Sequence, residues 1–231
     1  MLRKWEDLPD FMRVDEVKPY YDVLAEKRCQ IFVKQVFDVF MAILTLVVLA
    51  VPMLLISVAI KLTSKGDVFF RQERVTTYGR RFRIYKFRTM VQNADKIGTS
   101  VTVGGDSRIT PIGAFLRKYR LDEFPQLFNV INGDMSFVGT RPEVPKYVEK
   151  YTDEMKATLL LPAGITSEAS IRYKDEDALL SSAQDVDKAY IEQVLPAKMK
   201  WNLESITRFR FLREILTMFR TVLAVGGKKY K

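Results

Sequence analysis

The sequence predicts an α-rich α/β fold: a compact domain with a small β-hairpin or sheet, a hydrophobic N-terminal membrane helix and amphipathic helices at the membrane interface. Three observations predict it. An uncharged apolar run fills residues 39–60. Two alternating runs joined by a Gly-containing pentapeptide follow at 67–89. The rest carries helical periodicity punctuated by proline.

The apolar run, VFMAILTLVVLAVPMLLISVAI, has about 20 residues, the length that spans a bilayer as a helix. It begins after a long charged leader, unlike a cleaved signal peptide. Residues 18–34 of that leader, opened by KPYY, read as a surface helix. Pro52 sits mid-run, where it removes a backbone bond and kinks a helix. Basic residues flank both ends: Lys27, Arg28 and Lys34 before, Lys61, Lys65, Arg71 and Arg74 after. The charge asymmetry that orients a spanning helix is therefore weak. Two arrangements stay open on this physics. One is a helix bent at Pro52 with both ends on one side, Thr45 or Ser57 hydroxyls meeting the freed carbonyls. The other is a kinked spanning helix.

DVFFRQERV and RFRIYKFRT, joined by TTYGR, read as a hairpin. Strict alternation puts Phe82, Ile84, Lys86 and Arg88 on one face. Residues 91–108 read as a polar loop around a short helical piece. Thr110 and Pro111 open a helix as N-cap and first residue, with Ile112, Phe115, Leu116 and Tyr119 inward. A second helix follows with Pro125 in its first turn and Leu127, Phe128 and Ile131 as core, then a turn at GDMS. PEVPKYVEKYTDEMKATLL reads as one helix ending at Pro162. PAGITSEASIRYKDE is a loop with strand character. Residues 184–196 form a charged helix ending near Pro196. Residues 202–225 form an amphipathic helix with Leu203, Ile206, Phe209, Leu212, Leu216, Phe219 and Leu223 on one face. Aromatic and basic residues together there suit a membrane surface.

The net charge of +9 points to nucleic acid, an anionic membrane or phosphorylated ligands. The lone Cys29 forbids an intramolecular disulfide and reads as a buried thiol. The chain has no histidine, which removes Ser-His and Cys-His catalysis and His-ligated zinc. Chemistry is left to carboxylates, lysines, tyrosines, hydroxyls or a hard metal ion.

The strongest candidate is the pair Asp122–Glu123, set among Arg117, Lys118, Arg120 and Arg141. The plain reading is a helix start, with Asp as N-cap and Glu in the first turn. The chemical reading is a carboxylate nucleophile whose anionic electrophile is neutralised by arginine forks. Arg117, Arg141, Lys86 and Arg88 are the candidate phosphate ligands. Magnesium, which shares ligands with phosphate, is the candidate ion. No Walker-type Gly-rich loop is present, so an ATPase of that class is not expected.

These residues carry a resemblance. SKGDVFFRQERVTTYGRRFRIYKFRTM, DSRITPIGAFLRKYRLDEFPQLFNVINGDMSFVGTRPEVP and PAGIT resemble the bacterial sugar transferase domain of monotopic phosphoglycosyl transferases, from about Val36 to Thr166. The resemblance implies transfer of a phosphosugar from a nucleotide diphosphate sugar, usually a UDP-sugar, to polyprenol phosphate, with release of nucleotide monophosphate. It implies a re-entrant membrane helix broken at Pro52, and so favours the first arrangement above. Asp122 would be the nucleophile and would also meet magnesium. Glu123 would position or deprotonate groups beside it. Arg117, Arg141, Lys86 and Arg88 would hold phosphate. It further implies a bacterial inner-membrane location with the catalytic domain on the cytoplasmic face, contact with anionic membrane and none with nucleic acid, and leaves room for a homo-oligomer.

The expected organisation is an N-terminal surface helix region at 1–35, the re-entrant helix at 36–62, the catalytic domain at 63–201 and an interfacial segment at 202–231. Three departures stand out. Arg120 occupies a position where a small hydroxyl residue is common, Thr140 replaces a frequent proline, and SEASIRYKDE follows PAGIT. They put the sugar and nucleotide pockets in doubt and leave the acid pair intact. Two rival readings are a membrane-anchored phosphohydrolase, which would use water in place of lipid, and a basic membrane-attached binding module without catalysis.

Overall fold

The structure, a computed structural model, describes residues 1–94, 106–173, 180, 183 and 185–225. Most of the polar loop expected at 91–108 lies outside them. Two short 3-10 turns, Trp5–Asp7 and Asp10–Met12, lead into α1 (Lys18–Ala25) and the long α2 (Arg28–Thr63). β1 (Phe69–Val75) and β2 (Arg81–Phe87) form the antiparallel hairpin, as the alternating runs predict. α3 (Pro111–Lys118) starts as its sequence dictates, Thr110 Oγ1 accepting from the Gly113 N–H. A 3-10 turn, Leu121–Glu123, precedes α4 (Gln126–Ile131), β3 (Met135–Val138) and α5 (Pro145–Val148). A further 3-10 turn, Glu154–Leu159, leads to β4 (Ala163–Thr166) and α6 (Glu168–Arg172). The chain closes with α7 (Val186–Ala189), a π-helical turn (Tyr190–Val194), α8 (Leu195–Thr207) and α9 (Phe211–Val225).

β3 and β4 pair in parallel, Met135 opposite Ala163 and Val138 opposite Thr166. Their ends approach so closely that a Cβ on Gly164 would lie 2.2 Å from the Gly139 nitrogen. Glycine therefore occupies both sides of the close approach, Gly139 just after β3 and Gly164 as the second residue of β4, in VGTRP and PAGIT.

α2 is the spine. Its buried or half-buried stripe runs Ile31, Lys34, Asp38, Ala42, Leu46, Leu49, Met53, Ile56 and Ile60, at three- and four-residue steps. Ile31 joins the largest core cluster, with Met12, Leu24, Tyr147, Leu195 and Met199. Ala42 packs with Phe82, Ile84, Leu127 and Met135. Met53 and Ile60 pack with Phe87 and Leu116. The helix thus lies against one domain over its whole length, about 54 Å at 1.5 Å per residue. Its other face, including Phe40, Val47, Val51, Leu55 and Leu62, is exposed. Helical backbone continues on both sides of Pro52, and Ser57 Oγ donates to the Met53 carbonyl at 2.7 Å.

Several local expectations change. Lys34 is buried, bonded to Asp38 at 3.1 Å and Glu214 at 2.9 Å, so it adds no flanking charge. Ser136 donates to the same Asp38 at 2.6 Å, and this cluster docks α2, β3 and α9 together. Cys29 is exposed instead of buried. The surface helix expected over 18–34 is the shorter α1, whose Tyr21 and Leu24 join the main core. In α3, Leu116 is buried but Phe115 and Tyr119 are exposed and pack on each other at 5.1 Å. In α4, Leu127 and Val130 are core while Phe128 is exposed. The helix expected through 142–160 is two pieces, because Tyr147, Tyr151, Leu159 and Leu160 are all buried and no single helix face holds all four.

Pro196 does not end its helix. The π turn just before it absorbs the missing N–H, and the helical path runs from 186 to 207. The expected tail helix splits at 208–210. Leu203, Ile206 and Phe209 enter the main core, whereas Leu212, Leu216, Phe219 and Leu223 of α9 stay exposed.

Candidate active site

Asp122 and Glu123 sit on the 3-10 turn between α3 and α4, both buried. The turn exists because Arg120, at φ 56°, reverses the chain after α3. An L-residue in that left-handed region costs on the order of 1 kcal/mol, and glycine or asparagine is the usual occupant. Neither acid serves as a helix cap. The N-cap position of α4 is Pro125, and no side chain caps it. The plain reading of the pair therefore fails.

Two separate elements bring cations to Glu123. Lys86 Nζ, at the end of β2, lies 3.1 Å from Oε1, and Arg141 Nη2, from the turn after β3, lies 2.8 Å from it. Arg120 Nη1 approaches the same oxygen at 3.8 Å. Burial pushes the Glu123 carboxyl up, but Arg141, Lys86 and Arg120 outweigh it and hold the group far below the carboxylate range. Burial raises Asp122, with Lys86 opposing and the Glu123 charge adding to the rise. Lys86 is lowered, chiefly by burial, with Glu123 opposing and Arg141 adding to it.

The two acids are therefore not equivalent. Glu123 is fixed in an ion network, while Asp122 Oδ1 is buried and, among the described residues, has no hydrogen-bond partner. Such an orphan oxygen is expensive and asks for a ligand. Arg117 acts on Asp122 through its charge. Four cations, Lys86, Arg117, Arg120 and Arg141, thus influence two carboxylates, and the surplus positive field suits a polyanion.

Of the six residues expected in the site, the structure brings Asp122, Glu123, Lys86 and Arg141 together, with Arg117 acting at longer range. Arg88 goes elsewhere. Its Nη1 donates to the Lys65 carbonyl at 2.7 Å, and Nη2 to the Ser64 carbonyl and hydroxyl at 2.9 and 2.8 Å. It closes the C-terminal end of α2, and none of these bonds reaches the acid pair. Strand alternation put Arg88 on the Lys86 face, but the strand ends at Phe87 and the rule ends with it.

Sequence reasoning missed the supports. Asn129, fully buried, accepts from the Tyr85 N–H and donates to the Arg83 carbonyl, both at 2.9 Å. It saturates the free edge of β2 and ties Lys86's strand to α4. The loop carrying Arg141 is braced similarly. Arg74 Nη1 donates to the Pro142 carbonyl at 3.1 Å, the Val75 N–H to the Glu143 carbonyl at 3.0 Å, and Tyr190 Oη to Glu143 Oε1 at 2.6 Å. The available signal was a polar residue at a core position of a helical pattern, as with Asn129 between Leu127 and Val130. Gln126 is also buried, and among the described residues both polar atoms of its amide lack partners.

Among the described residues no group of three or more His, Cys, Asp or Glu could cage a metal. Magnesium needs no such cage, since it binds through one or two carboxylates plus substrate phosphates. The unpartnered Asp122 oxygen fits that arrangement.

A family model described as bacterial sugar transferase matches residues 29–227. The chain is 34% identical over 197 residues to UDP-N-acetylgalactosamine-undecaprenyl-phosphate N-acetylgalactosaminephosphotransferase of Aeromonas hydrophila, covering 84% of this chain and 44% of that one. It is 31% identical over 207 residues to exopolysaccharide production protein ExoY of Sinorhizobium fredii, covering 83% and 84%. It is 33% identical over 202 residues to UDP-glucose:undecaprenyl-phosphate glucose-1-phosphate transferase of Xanthomonas campestris, covering 85% and 39%. The chain therefore spans less than half of the Aeromonas and Xanthomonas proteins but most of the Sinorhizobium one.

Proposed function

The chain belongs to the bacterial sugar transferase family, and we propose that it transfers a phosphosugar from a UDP-sugar to polyprenol phosphate, releasing UMP, as the first membrane step of glycoconjugate or exopolysaccharide synthesis. The observation that carries the reading is the division of labour in the acid pair. Glu123 is held by Lys86 and Arg141, while Asp122 keeps an unbonded oxygen.

In the first step an Asp122 carboxylate oxygen attacks the sugar-linked phosphorus. A P–O bond forms, the P–O bond to the nucleotide phosphate breaks, and UMP leaves with that electron pair. Arg141, Lys86, Arg117 and Arg120 offset the diphosphate charge, and Glu123 keeps the first two aimed. Magnesium, when bound, would be held by Asp122 and the diphosphate oxygens and would neutralise charge on the leaving phosphate. In the second step a phosphate oxygen of the polyprenol attacks the same phosphorus and frees Asp122, giving the polyprenol-diphosphate sugar. Both nucleophiles react as anions, an ionised carboxylate and a phosphate oxygen, so neither displacement requires a histidine base.

Membrane attachment is read from α2. Both of its ends touch one domain, at Ile31 and Ile60, which suits a helix whose flanks stay on one side. Pro52 is the point at which it would bend into the bilayer. We place the domain on the cytoplasmic face of the inner membrane, with the exposed face of α9 in the interface.

The test is a rapid acid quench of enzyme incubated with UDP-sugar and magnesium without lipid. A phosphosugar mass on the peptide containing Asp122, absent in Asp122→Asn, is the expected result. Turnover in that variant should fall by several orders of magnitude. No adduct, with kinetics requiring both substrates bound together, would overturn the covalent route. Release of sugar phosphate without lipid would favour the phosphohydrolase instead.

A further inference from the structure

A cleft of about 400 Å³ opens between α6, α8 and α9, within the size range of ligand sites. Val138 and Thr140 line it, whereas Arg141, the next residue, turns to Glu123. The cleft thus borders the chain leaving β3, yet Asp122, Glu123, Lys86 and Arg141 do not line it, so this is not the site described above.

The walls carry Arg172, Arg208, Arg210, Arg213 and Arg220 beside Glu168, Glu204 and Glu214. Every one of those acids is already paired. Glu168 meets Arg220 at 3.0 Å, Glu204 meets Arg208 at 2.8 Å, and Glu214 meets Lys34 at 2.9 Å. Among the described residues Arg172, Arg210 and Arg213 have no carboxylate partner. Arg172 instead lies 3.9 Å from the ring centroid of Trp201. Asn202, 5% exposed, also lines the cleft, and among the described residues its amide nitrogen donates to Met199 Sδ at 3.8 Å. The cleft therefore offers guanidinium donors and a buried amide to an anion.

Its rim is apolar. Leu216 lines it and is 48% exposed, and Leu212, Phe219, Val222 and Leu223 continue an exposed face along α9. Phe211 at the start of α9 packs edge-on against Phe37 of α2 at 5.4 Å, which sets this face beside the lipid-facing side of α2. Positive charge inside and greasy surface at the mouth match an amphiphile with an anionic head.

We propose that this cleft holds the phosphate headgroup of an anionic membrane phospholipid, its acyl chains lying along α9. The assignment rests on the membrane-bound reading of α2 and is independent of the covalent chemistry at Asp122. It makes lipid composition a determinant of how the C-terminal helices sit.

Trp201 supplies the readout. The chain has two tryptophans, so Trp5→Phe leaves Trp201 as sole donor. In dodecyl maltoside micelles, its emission should transfer saturably to dansyl-phosphatidylglycerol. Unlabelled phosphatidylglycerol should displace the probe and phosphatidylcholine should not. Arg210→Gln/Arg213→Gln, confirmed as folded by an unchanged unfolding midpoint, should weaken the probe by about tenfold or more. Asp122→Asn should abolish turnover and leave probe binding intact, which separates failure of this site from failure of the catalytic reading. Equal displacement by phosphatidylcholine would reduce the cleft to an apolar surface. Displacement by millimolar inorganic phosphate or UMP would make it a soluble-anion site. Unchanged binding in the double variant would remove the arginines from it. Any of these three results overturns the proposal.

Discussion

Glu123 and Asp122 are neighbours with opposite electrostatic histories. Glu123 sits far below its ordinary pKa, because Arg141, Lys86 and Arg120 overcome its burial. A depressed carboxyl stabilises the fold above its unfolded pKa, and that contribution is lost as pH falls toward the folded value. Glu123→Gln should therefore lower stability at pH 7 by on the order of 3 kcal/mol, leaving Lys86 and Arg141 without their counter-charge. The gap from wild type should narrow as pH falls below about 4. Thermal unfolding of detergent-solubilised protein across pH measures it, and a gap constant down to pH 3 would refute the network. Gln126 gives the opposite case. Both polar atoms of its buried amide are unpaired, so Gln126→Leu removes a cost and no bond. Its unfolding midpoint should stay level or rise. A clear fall would mean that the amide has a partner in solution.

At the scale of elements, the site is an assembly of three pieces held in register by side-chain-to-backbone bonds. β2 brings Lys86, the α3–α4 turn brings the acids, and the loop after β3 brings Arg141. Asn129 joins the first two by pairing with the edge of β2. Asn129→Leu should cost about 2 kcal/mol, since the Tyr85 N–H and Arg83 carbonyl lose their partner. Activity should fall with it, measured as UMP release, because Lys86 loses its alignment. Retained activity would show that the hairpin is held by its apolar contacts alone. Gly66 anchors the far end of the same hairpin. At φ 111° it lies where a Cβ would come 2.2 Å from Arg88 Nη1. Gly66→Ala should push Arg88 off the end of α2 and lower the unfolding midpoint. An unchanged midpoint would show that the clamp is dispensable.

For the whole molecule, the question is how a 36-residue apolar helix and a soluble-looking domain share one chain. The helix gives one stripe to the domain and the other to its surroundings. Its exposed apolar face, with the exposed side of α9 beside it, is the surface on which the proposed membrane attachment rests. Cys29, in the first turn of α2, and Glu73, in β1 beyond its other end, are both exposed. In intact spheroplasts a membrane-impermeant maleimide should label neither native Cys29 nor Glu73→Cys in a Cys29→Ser background. Both should react after permeabilisation. Labelling of Cys29 alone from outside would establish a crossing helix and end the one-sided topology.

Much of this protein was legible in the sequence because it depends on near neighbours in the chain. The hairpin followed from alternation, α3 from Thr110 and Pro111, and the apolar helix from length and charge. The acid pair stood out by its setting among arginines. Contacts between distant segments were not legible in this way. Periodicity marks Phe115 and Leu116 as equally apolar, yet only the position of α2 buries Leu116 and leaves Phe115 outside. It marks 202–225 as one stripe, yet the core takes Phe209 and releases Leu212. Lys34 reads as flanking charge until Glu214, 180 residues away, is folded against it. Tertiary structure alone decided that Arg88 closes a helix while Lys86, two residues earlier, holds Glu123. A local pattern records what a residue prefers, whereas burial and ion pairing depend on which remote surface arrives beside it.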